Sequence, residues 1–263
     1  MATWDNIKIV TDDGDEVIAQ APVIVSASRA TDIPAFYADW FMERLKRGYL
    51  KWTNPFNGKP LYVSFAKTRA IIFWSKNPKP LLKHLDILEK MGLNFYFQYT
   101  LNDYEVEGFE PNVPPLASRI ETFCALSERV GKERVIWRFD PLLITNKTPV
   151  TCLLDKVASL GDCLSPYTKK LVFSFVDIDT YRNVQCNLKI ENLGARECFV
   201  EEKTLIAARL SELNRARGWG LRLATCAEDI DFNTFGIEHN RCIDDELFVR
   251  CFPEDDALMQ FLG

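Results

Sequence analysis

Val135-Ile136-Trp137-Arg138-Phe139-Asp140 alternates its side chains between two faces, as a β-strand must. Val135, Trp137 and Phe139 make an apolar face, while Ile136, Arg138 and Asp140 share the other and bring two opposite charges to the strand's carboxyl end. Such charges are costly to bury unless they pair, bind a ligand or reach water. Residues 95–100 repeat the pattern, with Phe95, Phe97 and Tyr99 opposite Tyr96, Gln98 and Thr100. An aromatic face against helices and a polar face toward an interior is the pattern of a (β/α) unit that presents reactive groups at its strand end.

Five runs besides 135–140 end the same way, that of 95–100 among them. Ser26-Ala27-Ser28-Arg29, Trp74-Ser75-Lys76-Asn77, Gln98-Tyr99-Thr100, Ser174 to Asp177 and Thr225-Cys226-Ala227-Glu228 each close an apolar, β-rich segment. The pattern predicts strands over 23–27, 70–74, 94–100, 134–139, 171–176 and 221–225. Helices are predicted over 34–46, 78–91, 116–130, 151–160 and 199–217. Thr31 or Asp32 suits the first helix's N-cap, Pro34 its first turn, and Gly48 its exit. Six such units predict an α/β fold: a TIM-like barrel in a partial, open (β/α)6 form. Residues 1–20 read as an N-terminal β-hairpin ornament around Asp13-Gly14, and Asn57-Gly58 marks a second hairpin inserted at the rim. The proline-rich segment 102–115 reads as a loop, and 177–197, without periodicity, as a functional lid.

With 263 residues and no linker-like stretch, 1–263 is expected to be one barrel domain. A hydrophobic fraction of 47%, including 18 Phe, provides for a large core. The formal charge of −5 disfavours bulk nucleic-acid binding or an anionic membrane surface. No apolar run spans a bilayer and residues 1–10 lack a signal-peptide pattern, so a cytoplasmic protein is expected. Eight cysteines show no C-x-x-C spacing, and free thiols without disulfides are expected. Only two histidines, His84 and His239, leave little material for a histidine triad or a three-histidine zinc centre. His239 with Cys242 is two donors short of a zinc site, so no metal ligand is assigned.

Ser26-Ala27-Ser28-Arg29-x-Thr31-Asp32-Ile33-Pro34, Asn54-Pro55-Phe56, Phe73-Trp74-Ser75-Lys76-Asn77-Pro78, Trp137-Arg138-Phe139-Asp140-Pro141, Cys226-Ala227-Glu228 and Cys242-Ile243-Asp244 carry a resemblance over nearly the whole chain. They resemble a bacterial family of unknown function related to radical S-adenosylmethionine (SAM) enzymes. The resemblance implies a barrel of radical-SAM type, S-adenosylmethionine and a [4Fe-4S] cluster as cofactors, an electron donor as partner, and a substrate it does not identify. It also implies a cysteine-rich cluster-binding tail after residue 263. No cluster ligands are identifiable within residues 1–263. In that chemistry the cluster reduces SAM to a 5′-deoxyadenosyl radical that abstracts hydrogen from the substrate.

Ser26, Ser28 and Arg29 precede the first helix and are expected to meet an anionic or polar part of the cofactor. Gln98 and Arg138 are assigned to cofactor binding as well, Arg138 by forking onto a carboxylate such as SAM's methionyl group. Lys76, Asp140 and Glu228 are the expected catalytic groups: Lys76 as a desolvated base or Schiff-base nucleophile, Asp140 as a base or as the group orienting Arg138, Glu228 toward a ribose or amine. A structural ion pair of Arg138 with Asp140 competes with the functional reading. Two other functions stay open, a cofactor-independent lyase or hydrolase using Lys76, Arg138, Asp140 and Glu228, and a non-catalytic ligand-binding barrel.

Overall fold

A computed structural model describes residues 4–28, 31–54, 57–178 and 194–263. Its described residues include eleven strands: β1 (Asp5–Val10), β2 (Glu16–Ala21), β3 (Ile24–Ala27), β4 (Tyr49–Thr53), β5 (Pro60–Ser64), β6 (Ala70–Ser75), β7 (Asn94–Thr100), β8 (Val135–Leu142), β9 (Lys170–Phe175), β10 (Arg222–Thr225) and β11 (Ile237–His239). They also include eight α-helices: α1 (Ile33–Phe36), α2 (Ala38–Arg47), α3 (Leu85–Lys90), α4 (Leu116–Val130), α5 (Val150–Leu164), α6 (Val200–Ala216), α7 (Asp245–Cys251) and α8 (Asp256–Leu262).

The partial (β/α)6 barrel does not form. Instead, a seven-stranded all-parallel sheet runs in the order β11-β10-β9-β8-β7-β6-β3, beside a four-stranded mixed sheet β1-β2-β5-β4. Closing a barrel requires its two end strands to pair. Among the described residues β3 and β11, of four and three residues, each have one neighbour, so the sheet ends at both, and β11 is a seventh strand beyond the six expected. The strands do follow one another in chain order, the succession a barrel would also show, which is why the repeat in the sequence reads as one. A parallel sheet needs cover on both faces, and all six residues of β9 are buried.

The chain divides into two compact units, residues 1–97 with 245–263, and residues 98–244; the division falls inside β7. In the first unit, β1 pairs antiparallel with β2, β2 parallel with β5, β5 antiparallel with β4, and β3 parallel with β6. Phe41 of α2 meets Phe73 of β6 edge-on at 6.0 Å, and Phe73 stacks on Phe97 at 5.2 Å. The next residue back along β7, Tyr96, points the other way and is covered by Phe248 of α7, with ring centroids 5.1 Å apart. That face was expected to look into a barrel; a helix lies on it instead. The predicted helix over 34–46 is split at Tyr37 into α1 and α2. Asp32 caps α1 by accepting from Ala35 N–H at 3.0 Å, and α2 ends at Gly48 with φ +81°. The 78–91 segment begins as a 3₁₀ turn, Lys79–His84, before α3.

In the second unit, β8, β9, β10 and β11 pair in parallel, and α4, α5 and α6 supply the helical cover. Registers shift between β8 and β9 from Phe139 to Leu142, a bulge at the strand end that holds Asp140. Gly161 of α5 lets the Trp219 ring approach the helix backbone, since a Cβ there would lie 2.3 Å from Trp219 Cζ2. No helix among the described residues is long and apolar enough to cross a membrane.

Candidate functional site

The strand ends of the second unit build one polar cluster. Arg138, only 2% exposed, turns its Nε and Nη2 onto Asp140 Oδ2, with Nε at 3.1 Å, and its Nη1 lies 3.4 Å from Gln98 Oε1. Ser174 Oγ donates to Asp140 Oδ1. The Asp140 backbone is clamped by the buried Asn102 side chain, whose Oδ1 accepts from Asp140 N–H at 2.9 Å and whose Nδ2 donates to Asp140 O at 3.0 Å. Arg119, also buried, donates to Asn102 O at 3.0 Å and holds that residue in turn. The result is a carboxylate held by Arg138 and Ser174 on a clamped backbone, yet with its side chain still 30% exposed.

Arg138 faces a second partner. Burial works against its charge, but Asp140 and then the Cys226 sulfur outweigh it, so its pKa stands above the ordinary arginine value. Cys226 follows β10, anchored by its N–H to Phe173 O at 2.9 Å. Its Sγ lies 3.9 Å from Cys242 Sγ. The hydrogen bond with Cys242, opposed by burial and reinforced by the Arg138 charge, lowers the Cys226 thiol to about 6. Ala227 then takes φ +54°, a region that residues with a Cβ seldom occupy, and the chain turns sharply there. Beyond it Glu228 is tied down locally, with Lys203 Nζ 2.8 Å from Oε2 and Ile230 N–H on Oε1 at 3.2 Å. Lys203 also sits over the Phe175 ring, 5.3 Å from its centroid.

The first unit holds the other predicted residues. Trp74 Nε1 donates to Ser26 Oγ at 3.0 Å, and Ser28 Oγ exchanges hydrogen bonds with the backbone of Thr31. Asp32 Oδ2 accepts from the backbone N–H of Lys76 at 2.7 Å, which ties that strand end to the α1 cap; burial, ahead of these hydrogen bonds, raises the Asp32 pKa. Ser26 and Ser28 line a mainly apolar cavity of about 610 Å³ with Trp40, Lys51 and Trp52. Lys76 is half-buried and does not line that cavity. Arg29 and most of the 177–197 segment lie outside the described residues.

Gln98, Arg138 and Asp140 are therefore brought into one cluster, whereas Glu228 is engaged by Lys203. Asn102, Ser174 and the Cys226–Cys242 pair complete the cluster and were not selected from sequence. Ser174 and Cys226 sat in strand-end strings, a usable signal, and Cys242 in a string that carries the family resemblance, though nothing in its position 16 residues after Cys226 pairs the two; Asn102, two residues past a strand, had no signal.

Asp140 offers a fixed acceptor for an ammonium group, but the Arg138 edge that would fork onto a carboxylate is already spent on Asp140. An iron-sulfur cluster needs at least three converging thiolates, and among the described residues no group of three or more His, Cys, Asp or Glu is arranged to hold a metal. Residues 24–260 match the family described as a domain of unknown function, DUF1848, and the chain belongs to that family. No curated protein and no solved structure matches the chain.

Proposed function

We propose that this DUF1848-family chain is the ligand-binding part of an enzyme of radical-SAM type, and that Asp140 holds the ammonium group of S-adenosylmethionine or of an amine-bearing substrate. The observation that carries the reading is the partly exposed Asp140 carboxylate, oriented by a buried Arg138 that has given its fork to it. Arg138 is then a positioning residue, and Asp140 is the group that touches ligand. Ser174 and the Asn102 clamp keep the carboxylate from rotating, so little ordering is left to be done on binding. Gln98, buried beside Arg138, accepts from its Nη1 at 3.4 Å. S-adenosylmethionine, when bound, supplies a sulfonium-activated adenosyl group; the residues named here bind and orient it.

Calorimetric titration of the full chain with S-adenosylmethionine and S-adenosylhomocysteine tests this. Binding is expected to weaken by about tenfold or more in Asp140→Asn, as a charge-assisted hydrogen bond becomes a neutral one. Absence of binding to the unaltered chain would end the SAM reading. Unchanged affinity in Asp140→Asn would remove Asp140 from it.

A further inference from the structure

Beside that carboxylate lies a feature the proposed binding does not use. We propose that Cys226 and Cys242 are a redox-active thiol pair, in which Cys226 attacks a hydroperoxide and Cys242 resolves the product into a reversible disulfide. The inference goes beyond ligand binding and does not depend on it.

Three observations converge. The two sulfurs are 3.9 Å apart although 16 residues separate them in sequence, so about 2 Å of closure makes a bond of ordinary disulfide length. Cys226 sits at a fixed strand end, while Cys242 is exposed in the turn after β11, whose base is pinned by Asn240 N–H on Thr225 O at 2.7 Å. The pair therefore combines one anchored sulfur with one on a short exposed turn. Finally, the Arg138 guanidinium hydrogen-bonds Cys226, and a partly exposed sulfur beside a fixed positive charge is the setting of reactive thiolates. Asp140, paired with Arg138, is a negative group that opposes it, and its effect is smaller than that of the guanidinium. The same guanidinium repels a metal cation, which sets the pair apart from a half-built zinc site. The contrast within the molecule is sharp: Cys198 is buried, and desolvation first and then the Glu202 charge push its thiol up to about 11.

The chemistry balances. The Cys226 thiolate attacks one oxygen of the hydroperoxide; the O–O bond breaks, sulfur is oxidised by two electrons to a sulfenic acid, and the departing oxygen takes a proton to leave as an alcohol, or as water from hydrogen peroxide. The Cys242 thiol then attacks the Cys226 sulfur, an S–S bond forms, and hydroxide leaves with the thiol proton as a second water. An external dithiol returns both sulfurs to thiols.

The test uses the full chain, reduced, desalted and exposed at pH 6 to one equivalent of hydrogen peroxide, followed by alkylation and peptide mass mapping. At that pH an ordinary exposed thiol is almost wholly protonated. After allowing for the lower nucleophilicity of a low-pKa thiolate, Cys226 should be oxidised about tenfold faster than an exposed thiol such as Cys163. The expected product is a Cys226–Cys242 disulfide that dithiothreitol reverses. In Cys242→Ser, dimedone should instead trap a sulfenic acid on Cys226, and in Cys226→Ser the Cys242 thiol should survive. Oxidation of Cys226 no faster than Cys163 in the unaltered chain would overturn the proposal, as would disulfides formed indiscriminately among the cysteines.

Discussion

Arg138 keeps its charge at 2% exposure because Asp140 answers it, and each depends on the other. Arg138→Ala should therefore lower stability by roughly 2–4 kcal/mol in urea melts, less than a fully enclosed pair would lose, since the stranded Asp140 still reaches water. Arg138→Lys keeps the charge and loses the fork, so a loss of about 1–2 kcal/mol is expected there. Cys226 responds to pH in a direction that its neighbours fix. Its folded pKa, about 6, lies below the unfolded value near 9, so between those values the unfolded chain binds the extra proton. Stability contributed by this thiol is thus fully present above pH 9 and is lost as pH falls through 6. Iodoacetamide labelling of Cys226 should show its midpoint near pH 6, and Arg138→Gln should move that midpoint upward by removing the guanidinium. A midpoint left in place would separate Arg138 from the thiol.

Elements show how small residues and caps set the larger arrangement. In α5, Gly161 is buried, and the Trp219 ring that fills its place is held by Nε1 on Asp162 Oδ1 at 2.9 Å, so it cannot swing aside freely. Gly161→Ala gains about 1 kcal/mol of helix propensity but overpacks against the ring at a cost of roughly 1–3 kcal/mol, and a net loss in thermal melts is expected. Asp255 does two jobs for α8: it accepts from Leu258 N–H at 3.0 Å as the N-cap, and it takes the Arg69 fork, with Nη2 at 2.9 Å, and Asn94 Nδ2 at 2.6 Å. Asp255→Ala should cost roughly 2–3 kcal/mol, the sum of a lost cap and lost charge-assisted bonds. Asp255→Asn keeps an acceptor for the cap, and its urea midpoint should fall between those of the alanine variant and the unaltered chain. Local patterns announced most of these elements. The helix at 116–130 was legible because its apolar positions recur at helical spacing, while α7 and α8 were not, being helices of seven residues whose stability comes from Phe248 on Tyr96 and from Arg69 on Asp255.

At the scale of the whole chain, reconstitution with iron and sulfide tests how far the cysteines converge. Residues 1–263 should retain no stoichiometric [4Fe-4S] cluster, because the described thiols offer Cys226 and Cys242 together and no third beside them. Iron and sulfide found at four atoms each per chain would mean that another cysteine joins that pair. The sequence by itself determined the alternation of strands and helices, the burial of an aromatic core, and the delivery of Arg138 and Asp140 to the same strand end. Those follow from side-chain period and from the cost of burying polar groups, both of which are local. Whether the strands close or end was decided only by tertiary structure, since closure depends on β3 meeting β11, and no local pattern encodes that pairing. The partners of the charges are decided at the same level. The sequence shows that Arg138 must have a partner; only the packing shows that Asp140 takes its fork, that Lys203 takes Glu228, and that a cysteine 16 residues away comes within 3.9 Å of Cys226. Partner choice is a matter of distance in space, and the chain's order does not contain it.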